Sequence, residues 1–91
     1  MASLSIVIPA YNEEESIGYV LTDTLSDLPR AVKDYEILVI DDGSTDRTPQ
    51  IADSFAKKNK HIHVVHQSHG GFSKAMITGL KVAKKDYVAY M

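Results

Sequence analysis

Two adjacent carboxylates, Asp41 and Asp42, directly follow a run of four branched apolar residues at positions 37–40. Such a run, bounded by turn residues, is typical of a buried parallel strand. In open α/β sheets the ligand binds at the carboxyl ends of the strands, so this pair lies where a ligand would lie. Two neighbouring like charges are costly unless a partner stabilises them. The pattern therefore predicts a binding site that uses Asp41 and Asp42 as acceptors.

A similar segment occurs near the N-terminus, where a short, mainly apolar strand at residues 5–8, Ser-Ile-Val-Ile, precedes Pro9, Ala10 and Tyr11. Pro9 has no amide hydrogen to give to a sheet, so we expect it to end the strand. Tyr11 is then expected on the following loop, where its ring can stack on a flat ligand and its hydroxyl can form a hydrogen bond. Asn12 is expected to cap the helix that follows.

A third segment contains two adjacent glycines. Gly70 and Gly71 precede the third predicted helix and could let the backbone approach a phosphate, to which Lys74 would add a positive charge. Their order is not Gly-x-Gly-x-x-Gly, and no Lys-Ser or Lys-Thr pair of a Walker motif follows. A tight turn beside an exposed Lys74 fits the same residues. Both interpretations are kept open.

Several polar residues also have a purely structural interpretation. Ser44, Thr45 or Asp46 could satisfy free amides at the start of the second helix, and the acidic residues 13–15 suit the positive end of the first. Four histidines are present, at positions 61, 63, 66 and 69. Because the chain has no cysteine and these histidines lack the paired spacing of zinc sites, we assign no metal to them.

Composition narrows the class of protein. The chain has 91 residues, of which 44% are hydrophobic, so we expect one small globular domain over residues 1–91. Its net charge of −2 gives no field that would attract nucleic acid. It has no cysteine, and no apolar run reaches the ~18–20 residues of a membrane span. We therefore expect a cytoplasmic protein, or one at the cytoplasmic face of a membrane if a longer parent carries membrane segments.

Hydrophobic periodicity predicts strands that alternate with helices. The expected strands are at residues 4–8, 36–40, 62–66 and 87–91. The expected helices are at residues 13–27, 47–58 and 72–84. Alternation of this kind implies parallel strands joined by right-handed crossovers, which is an α/β fold.

Two motifs, in this order and each after a strand, resemble the nucleotide-sugar half of the family 2 glycosyltransferases. The first is residues 8–14, Ile-Pro-Ala-Tyr-Asn-Glu-Glu, and the second is residues 39–46, Val-Ile-Asp-Asp-Gly-Ser-Thr-Asp. Residues 69–75 are similar to the family's glycine-containing loop, although Ser73 stands where a second glycine is common. The resemblance covers residues 4–91.

The resemblance implies a fold and a function. The implied fold is a Rossmann-like parallel sheet of the GT-A type with flanking helices, truncated to its N-terminal part, with strand order 3-2-1-4. The implied function is inverting transfer of a sugar from a UDP- or GDP-linked donor to an acceptor. The Asn12-Glu13-Glu14 form of the first motif is most similar to members that use polyprenyl phosphate as the acceptor.

The same resemblance assigns residues to a nucleotide site. Asp42 or Asp41 would accept hydrogen bonds from the base, Tyr11 would contact the base, and Glu13 would reach the ribose hydroxyls. The loop before Tyr11 would be shaped against the base, and the glycine-containing loop would lie near the phosphates. The expected nucleotide-binding residues are Pro9, Ala10, Tyr11, Glu13, Asp41, Asp42, Gly71 and Lys74.

The resemblance also implies Mg²⁺ or Mn²⁺ in the full-length enzyme, held by an Asp-x-Asp sequence that follows the strand at 87–91. No Asp-x-Asp occurs in this chain. The acceptor-binding half, which would carry the general base, is absent as well, so no catalytic residue is assigned. We therefore expect a glycosyltransferase as the parent protein and an inactive fragment in these 91 residues.

Two other functions share some of these features. A non-catalytic nucleotide-binding or scaffold module would carry the same motifs, and an Asp-x-Asp within a few residues of Met91 in a longer reading frame would argue against it. A phospho-acceptor domain would use the acidic pair for Mg²⁺. Such domains place the pair after the first strand and an acceptor aspartate on the third, and this sequence has neither.

The strand expected at residues 87–91, Tyr-Val-Ala-Tyr-Met, is uncharged and favours β structure. A stretch of this composition at the edge of a sheet can pair with a strand of another chain. We therefore expect self-association through this strand, or fraying of the strand.

Overall fold

The computed structural model describes residues 3–91, apart from the side chain of Ala31, and strands alternate with helices throughout. The elements are β1 (Ser3–Ala10), α1 (Ile17–Ala31), β2 (Asp34–Asp42), α2 (Thr48–Lys58), β3 (Ile62–Gln67), α3 (Phe72–Val82) and β4 (Tyr87–Tyr90). All strand pairs are parallel, and the order across the sheet is β3-β2-β1-β4. The predicted strand order 3-2-1-4 is confirmed.

β1 and β2 are longer than the sequence predicts, and Pro9 does not end β1. Pro9 lies within the strand, in register with Ile40 of β2. On the other side, the pairing with β4 ends at Val7, whose carbonyl accepts a hydrogen bond from the amide of Met91 at 3.0 Å. Alternate residues of a strand bond to the same neighbour, so the backbone of Pro9, like that of Val7, faces the β4 side. Pro9 lies beyond the end of β4, where no strand carbonyl needs an amide hydrogen from it.

α1 begins at Ile17, four positions later than predicted, because Asn12 does not cap it. Asn12 has a positive φ of 52°, which asparagine tolerates better than most residues, and its polar groups bond to the chain that follows β2. The amide of Ile17 donates to the carbonyl of Glu13 at 2.8 Å. A turn over residues 13–16 therefore separates Asn12 from the helix.

α3 ends at Val82, two residues before the predicted end. The amide of Lys84 donates to the buried carboxylate of Glu36 at 2.8 Å, and the amide of Lys85 donates to the Ser5 hydroxyl at 3.2 Å. These bonds draw the chain towards the start of β4. These bonds leave no signal in the local sequence because the partners lie 48 and 80 residues away.

The alternation of side chains along β2 divides the core in two. Ile37 and Val39 pack in the cluster that contains Leu21 of α1 and Ala52 of α2. Leu38 and Ile40 belong instead to a smaller cluster with Val7 of β1 and Ala75 of α3. By the same alternation, the two neighbouring aspartates at the end of β2 face opposite sides of the sheet.

α3 approaches β1 closely at Gly79. A Cβ atom at this position would collide with the Val7 side chain, so only glycine allows this contact without a shift. The outer face of α3 carries the exposed side chains of Phe72, Ile77 and Leu80. None of the helices within residues 3–91 is long and apolar enough to cross a lipid bilayer.

Candidate functional site

A cavity of about 320 Å³ lies at the carboxyl ends of β1 and β2, beside the start of α3. It is the place in an open α/β sheet where a ligand is expected. Its lining residues are Pro9, Ala10, Tyr11, Glu13, Asp42, His69, Gly71, Phe72 and Ala75. Six of the eight residues predicted from the sequence therefore meet here, and Asp41 and Lys74 are not among them.

A larger cavity, of about 510 Å³, lies at the amino ends of the strands. It is bordered by Glu36, His61 and His63 among others. His61 is held structurally, since its ring stacks on Tyr35 at 4.2 Å and its Nδ1 lies 3.1 Å from the Tyr35 carbonyl. Despite its size this cavity lies at the end of the sheet opposite to the predicted residues, and we place the site at the smaller one.

Asp42 holds the loop between β3 and α3. Its carboxylate accepts hydrogen bonds from the Gln67 side chain at 2.8 Å, the Gly71 amide at 2.8 Å and the Gly70 amide at 3.0 Å. His69 Nδ1 also lies 3.0 Å from Asp42 Oδ2. Burial alone would raise the pKa of Asp42, but the hydrogen bonds from Gln67, Gly71 and Gly70 outweigh it, and this pKa lies below its ordinary value. Asp42 is thus an ionised carboxylate whose acceptor capacity is largely used within the protein.

Tyr11 and His69 form one wall of the cavity. Their rings stack with centroids 4.2 Å apart and planes 29° from parallel. Tyr11 remains 42% exposed, so one side of the stack is open to a ligand. Gly43, with a φ of +73°, allows the loop to pack closely here, because a Cβ atom would lie 2.5 Å from the His69 amide nitrogen. The sequence interpretation missed His69, although its position directly before the two glycines was a usable signal.

Asp41 does not line the cavity. Because side chains alternate along β2, it faces the side covered by α1 and α2, whereas Asp42 faces α3. Its carboxylate contacts His66 Nδ1 at 2.8 Å and accepts a hydrogen bond from the Ser44 amide at 3.1 Å. The adjacent carboxylates, grouped by the sequence as one acceptor pair, therefore have separate partners.

The two residues expected near the phosphates, Lys74 and Gly71, also form hydrogen bonds within the protein. Lys74 donates from Nζ to the Ser68 carbonyl at 2.8 Å and does not line the cavity. Gly71, with a φ of +96°, gives its amide to Asp42 instead of presenting it to the cavity. Of the two interpretations left open for this segment, the contacts favour a tight turn.

Hydrogen bonds join the segment after β1 to the segment after β2. The amide of Asn12 donates to the Ser44 hydroxyl at 3.0 Å, and the amide of Thr45 donates to Asn12 Oδ1 at 2.8 Å. Asp46 accepts from the amides of Glu14 at 3.1 Å and Thr48 at 2.9 Å. Asp46 thus accepts the amide of the first residue of α2, and Asn12 fixes the two loops to each other.

Glu13 lies at the border of the cavity and of this loop junction. Its amide donates to the Thr48 hydroxyl at 2.8 Å, and its carboxylate accepts a hydrogen bond from the Ser16 hydroxyl at 3.0 Å. The side chain is exposed, so the carboxylate can still reach a ligand hydroxyl.

Metal ligands are not assembled in this part of the protein. Within residues 3–91, no three or more His, Asp or Glu side chains come together in a way that could hold a metal ion. The described residues therefore do not fit a divalent cation, and we derive no chemical step through one.

Comparison with known proteins places the chain in a family. Residues 5–91 match the model of "Glycosyl transferase family 2". The chain belongs to this family, and its fold is the GT-A fold of the glycosyltransferases that it resembles in structure. It is 39% identical to the uncharacterized glycosyltransferase EpsJ of Bacillus subtilis over 97% of this chain and 25% of that protein. The chain thus spans about a quarter of the length of this relative.

Two solved structures are similar over nearly the whole chain. One is S. aureus TarS, residues 1–349, in complex with UDP-GlcNAc, with a TM-score of 0.79 and 30% identity over 98% of this chain and 26% of that one. The other is glucosyl-3-phosphoglycerate synthase from Mycobacterium tuberculosis in complex with Mn²⁺, UDP and glucosyl-3-phosphoglycerate. For that enzyme the TM-score is 0.77 and the identity 29%, over 99% of this chain and 33% of that one.

Proposed function

We propose that this chain supplies the nucleotide-binding part of an enzyme that transfers a sugar from a UDP- or GDP-linked donor. The observation that carries the proposal is the cavity at the carboxyl ends of β1 and β2, where Tyr11, Asp42 and Gly71 meet. Family membership over residues 5–91 and two similar structures that contain UDP or a UDP-sugar support the same function.

In this proposal the base of the nucleotide packs on the Tyr11–His69 stack. Asp42 is the acceptor for a base N–H group. The Gly70 amide spans both of its oxygens, at 3.0 and 3.2 Å, so a ligand donor can take over one of these two contacts. Glu13 accepts hydrogen bonds from ribose hydroxyls, which suits its exposed position at the cavity border.

The diphosphate needs a further source of positive charge. The Lys74 ammonium is held by Ser68, and the Gly71 amide is held by Asp42. We therefore propose that the described residues bind the nucleoside part and that the chain alone binds a nucleoside diphosphate weakly. Mg²⁺ or Mn²⁺ in the whole enzyme is a proposal supported by the Mn²⁺ of the M. tuberculosis synthase.

The remaining features of the reaction are proposals for the whole enzyme. An inverting mechanism and a polyprenyl phosphate acceptor rest on the resemblance of the first motif, residues 8–14. With no general base assigned among its residues, the 91-residue chain is proposed to be inactive by itself. The proposed compartment is the cytoplasm or the cytoplasmic face of a membrane, which a chain without cysteine suits. The proposed partners are the nucleotide sugar and, through β4, a second copy of the chain.

The rival function, a non-catalytic nucleotide-binding module, predicts the same cavity. The two differ in the longer reading frame, where an Asp-x-Asp shortly after Met91 supports the enzyme.

Amide chemical shifts of the isotope-labelled chain test the proposed site during titration with UDP and GDP. We expect the largest changes at Tyr11, His69 and Gly71, with little change near Glu36 and His63 at the larger cavity. Changes centred on Glu36 and His63, or no change with either nucleotide, would contradict the proposal.

A further inference from the structure

His66, at the end of β3, lies between two carboxylates. Its Nδ1 is 2.8 Å from Asp41 Oδ2, and its Nε2 is 2.9 Å from Asp53 Oδ1. A carboxylate is an acceptor only, so both ring nitrogens must carry a proton if both hydrogen bonds form together. This geometry is therefore that of an imidazolium that joins the end of β2 to α2.

The groups that face His66 favour this charged form. Within residues 3–91, β3 pairs with β2 only, and the charged side chains against the ring are Asp41 of β2 and Asp53 of α2. The hydrogen bond from His66 to Asp41 raises the pKa of His66, partial burial opposes this, and Asp53 raises it further. Asp41 is only 4% exposed, whereas Asp53 is 57% exposed, so the inner contact is the less hydrated one.

The inner carboxylate connects His66 to the candidate site. Asp41 accepts the Ser44 amide through Oδ1, its other oxygen, and the Ser44 hydroxyl accepts the Asn12 amide, which is adjacent to Tyr11. On the opposite side of the same loop, Gly43 packs against the backbone of His69. Asp41 thus holds the loop that supports both rings of the cavity wall.

We propose that protonated His66 is a positioning residue: it fixes Asp41, and through the loop 43–45 it holds Tyr11 and His69 in the arrangement that binds the nucleotide. The proposal rests on the proposed nucleotide site and extends it to a residue outside the cavity.

The consequence for pH follows from the direction of the shift. Folding raises the pKa of His66 above its ordinary value of 6.5. His66 is therefore fully protonated in the folded chain at a pH below 6.5, and it loses the proton as the pH rises through its pKa in the folded state. Neutral His66 can donate from one nitrogen only, so above that pH it no longer joins Asp41 to Asp53, and Asp41 is held less firmly against α2. We expect the loop to loosen and nucleotide affinity to fall in the same range.

The test compares the unmodified chain with His66→Gln and Asp53→Asn, using Asp23→Asn on the exposed face of α1 as the matched control. Three quantities are measured between about pH 5.5 and 8.5, the range in which a histidine titrates. They are the His66 ring shifts by NMR, the exchange protection of the Ser44 and Thr45 amides corrected for intrinsic rates, and the affinity for UDP and GDP. The phosphate of the nucleotide also titrates, at about pH 6. This titration affects the affinity of every variant equally, so it cancels when the affinity of a variant is divided by that of the unmodified chain at the same pH.

In the unmodified chain we expect amide protection and nucleotide affinity to fall as the pH rises through the midpoint of the His66 titration. The affinity should be about fivefold weaker at the high-pH end of the range. In Asp53→Asn all three midpoints move together to lower pH, and in His66→Gln the fall disappears. A fall that persists unchanged in His66→Gln would assign the effect to another group and overturn the proposal. Amide protection that is independent of pH would overturn it as well. If the amides respond but neither nucleotide binds at any pH, the role of His66 in fixing Asp41 and the loop 43–45 is supported and the proposed function fails.

Discussion

At the scale of single residues, Asp42 shows how a correctly predicted position can have a different principal role. Its location was predictable, because a buried strand that ends in a carboxylate places that group at the edge of the sheet. Its partners were not, since the donors Gln67, Gly70 and Gly71 lie 25 to 29 residues further along the chain. Sequence alone also paired it with Asp41, which the pleat turns to the other face of the sheet.

Replacement of Asp42 by asparagine tests its structural role. The new NH₂ group would face backbone donors, so we expect Asp42→Asn to lower the free energy of unfolding by about 1–3 kcal/mol at neutral pH. The pKa of Asp42 is lowered in the folded state, so its contribution is present above the ordinary value of 3.8 and is lost as the pH falls below it. Urea unfolding at pH 7 and near pH 3 measures this.

The difference between the wild type and Asp42→Asn should therefore shrink in acid. Asp23→Asn, an exposed position on α1, is the control and should leave the stability unchanged at both values of pH. A difference that is equal at pH 7 and pH 3 would show that the carboxylate charge has no role in the fold.

At the scale of elements, all seven were predictable in type and order from periodicity, because their apolar faces are regular. Their ends were less predictable wherever a distant partner decides them. Asn12 bonds to Ser44 and Thr45 and therefore does not cap α1, and Glu36 takes the Lys84 amide and so separates the end of α3 from β4. The local sequence shows the helix or capping propensity of each residue, but tertiary contacts such as these override that propensity.

β4 provides the prediction at this scale. Among the described residues it pairs only with β1, and Tyr87 and Tyr90 are 63% and 40% exposed. An uncovered edge of this composition favours pairing with another chain, so we expect the average mass to rise with concentration in light scattering. Tyr87→Lys should reduce this rise, because a charged side chain on an edge strand opposes pairing. Tyr19→Lys, an exposed position on α1, is the matched control, and an equal effect of both variants would exclude β4 as the interface.

At the scale of the whole molecule, one sheet separates two kinds of contact. On the α3 side, Asp42 and the loop before α3 shape the cavity with Tyr11. On the α2 side, Asp41, His66 and Asp53 join β2, β3 and α2. The sequence motifs identified the end of the sheet at which both sets lie, but the assignment of residues to either side required the register of the strands.

The central claim, that the Tyr11 wall binds the base of a nucleotide, is tested most directly by calorimetric titration of Tyr11→Ala and Tyr19→Ala with UDP and GDP. Stacking of a base on an aromatic side chain contributes about 1–3 kcal/mol, so Tyr11→Ala should weaken binding about fivefold or more. Tyr11→Phe, which keeps the ring, should bind nearly as well as the unmodified chain, and Tyr19→Ala on the exposed face of α1 should bind equally well. Unchanged affinity in Tyr11→Ala, or an equal loss in Tyr19→Ala, would contradict the account.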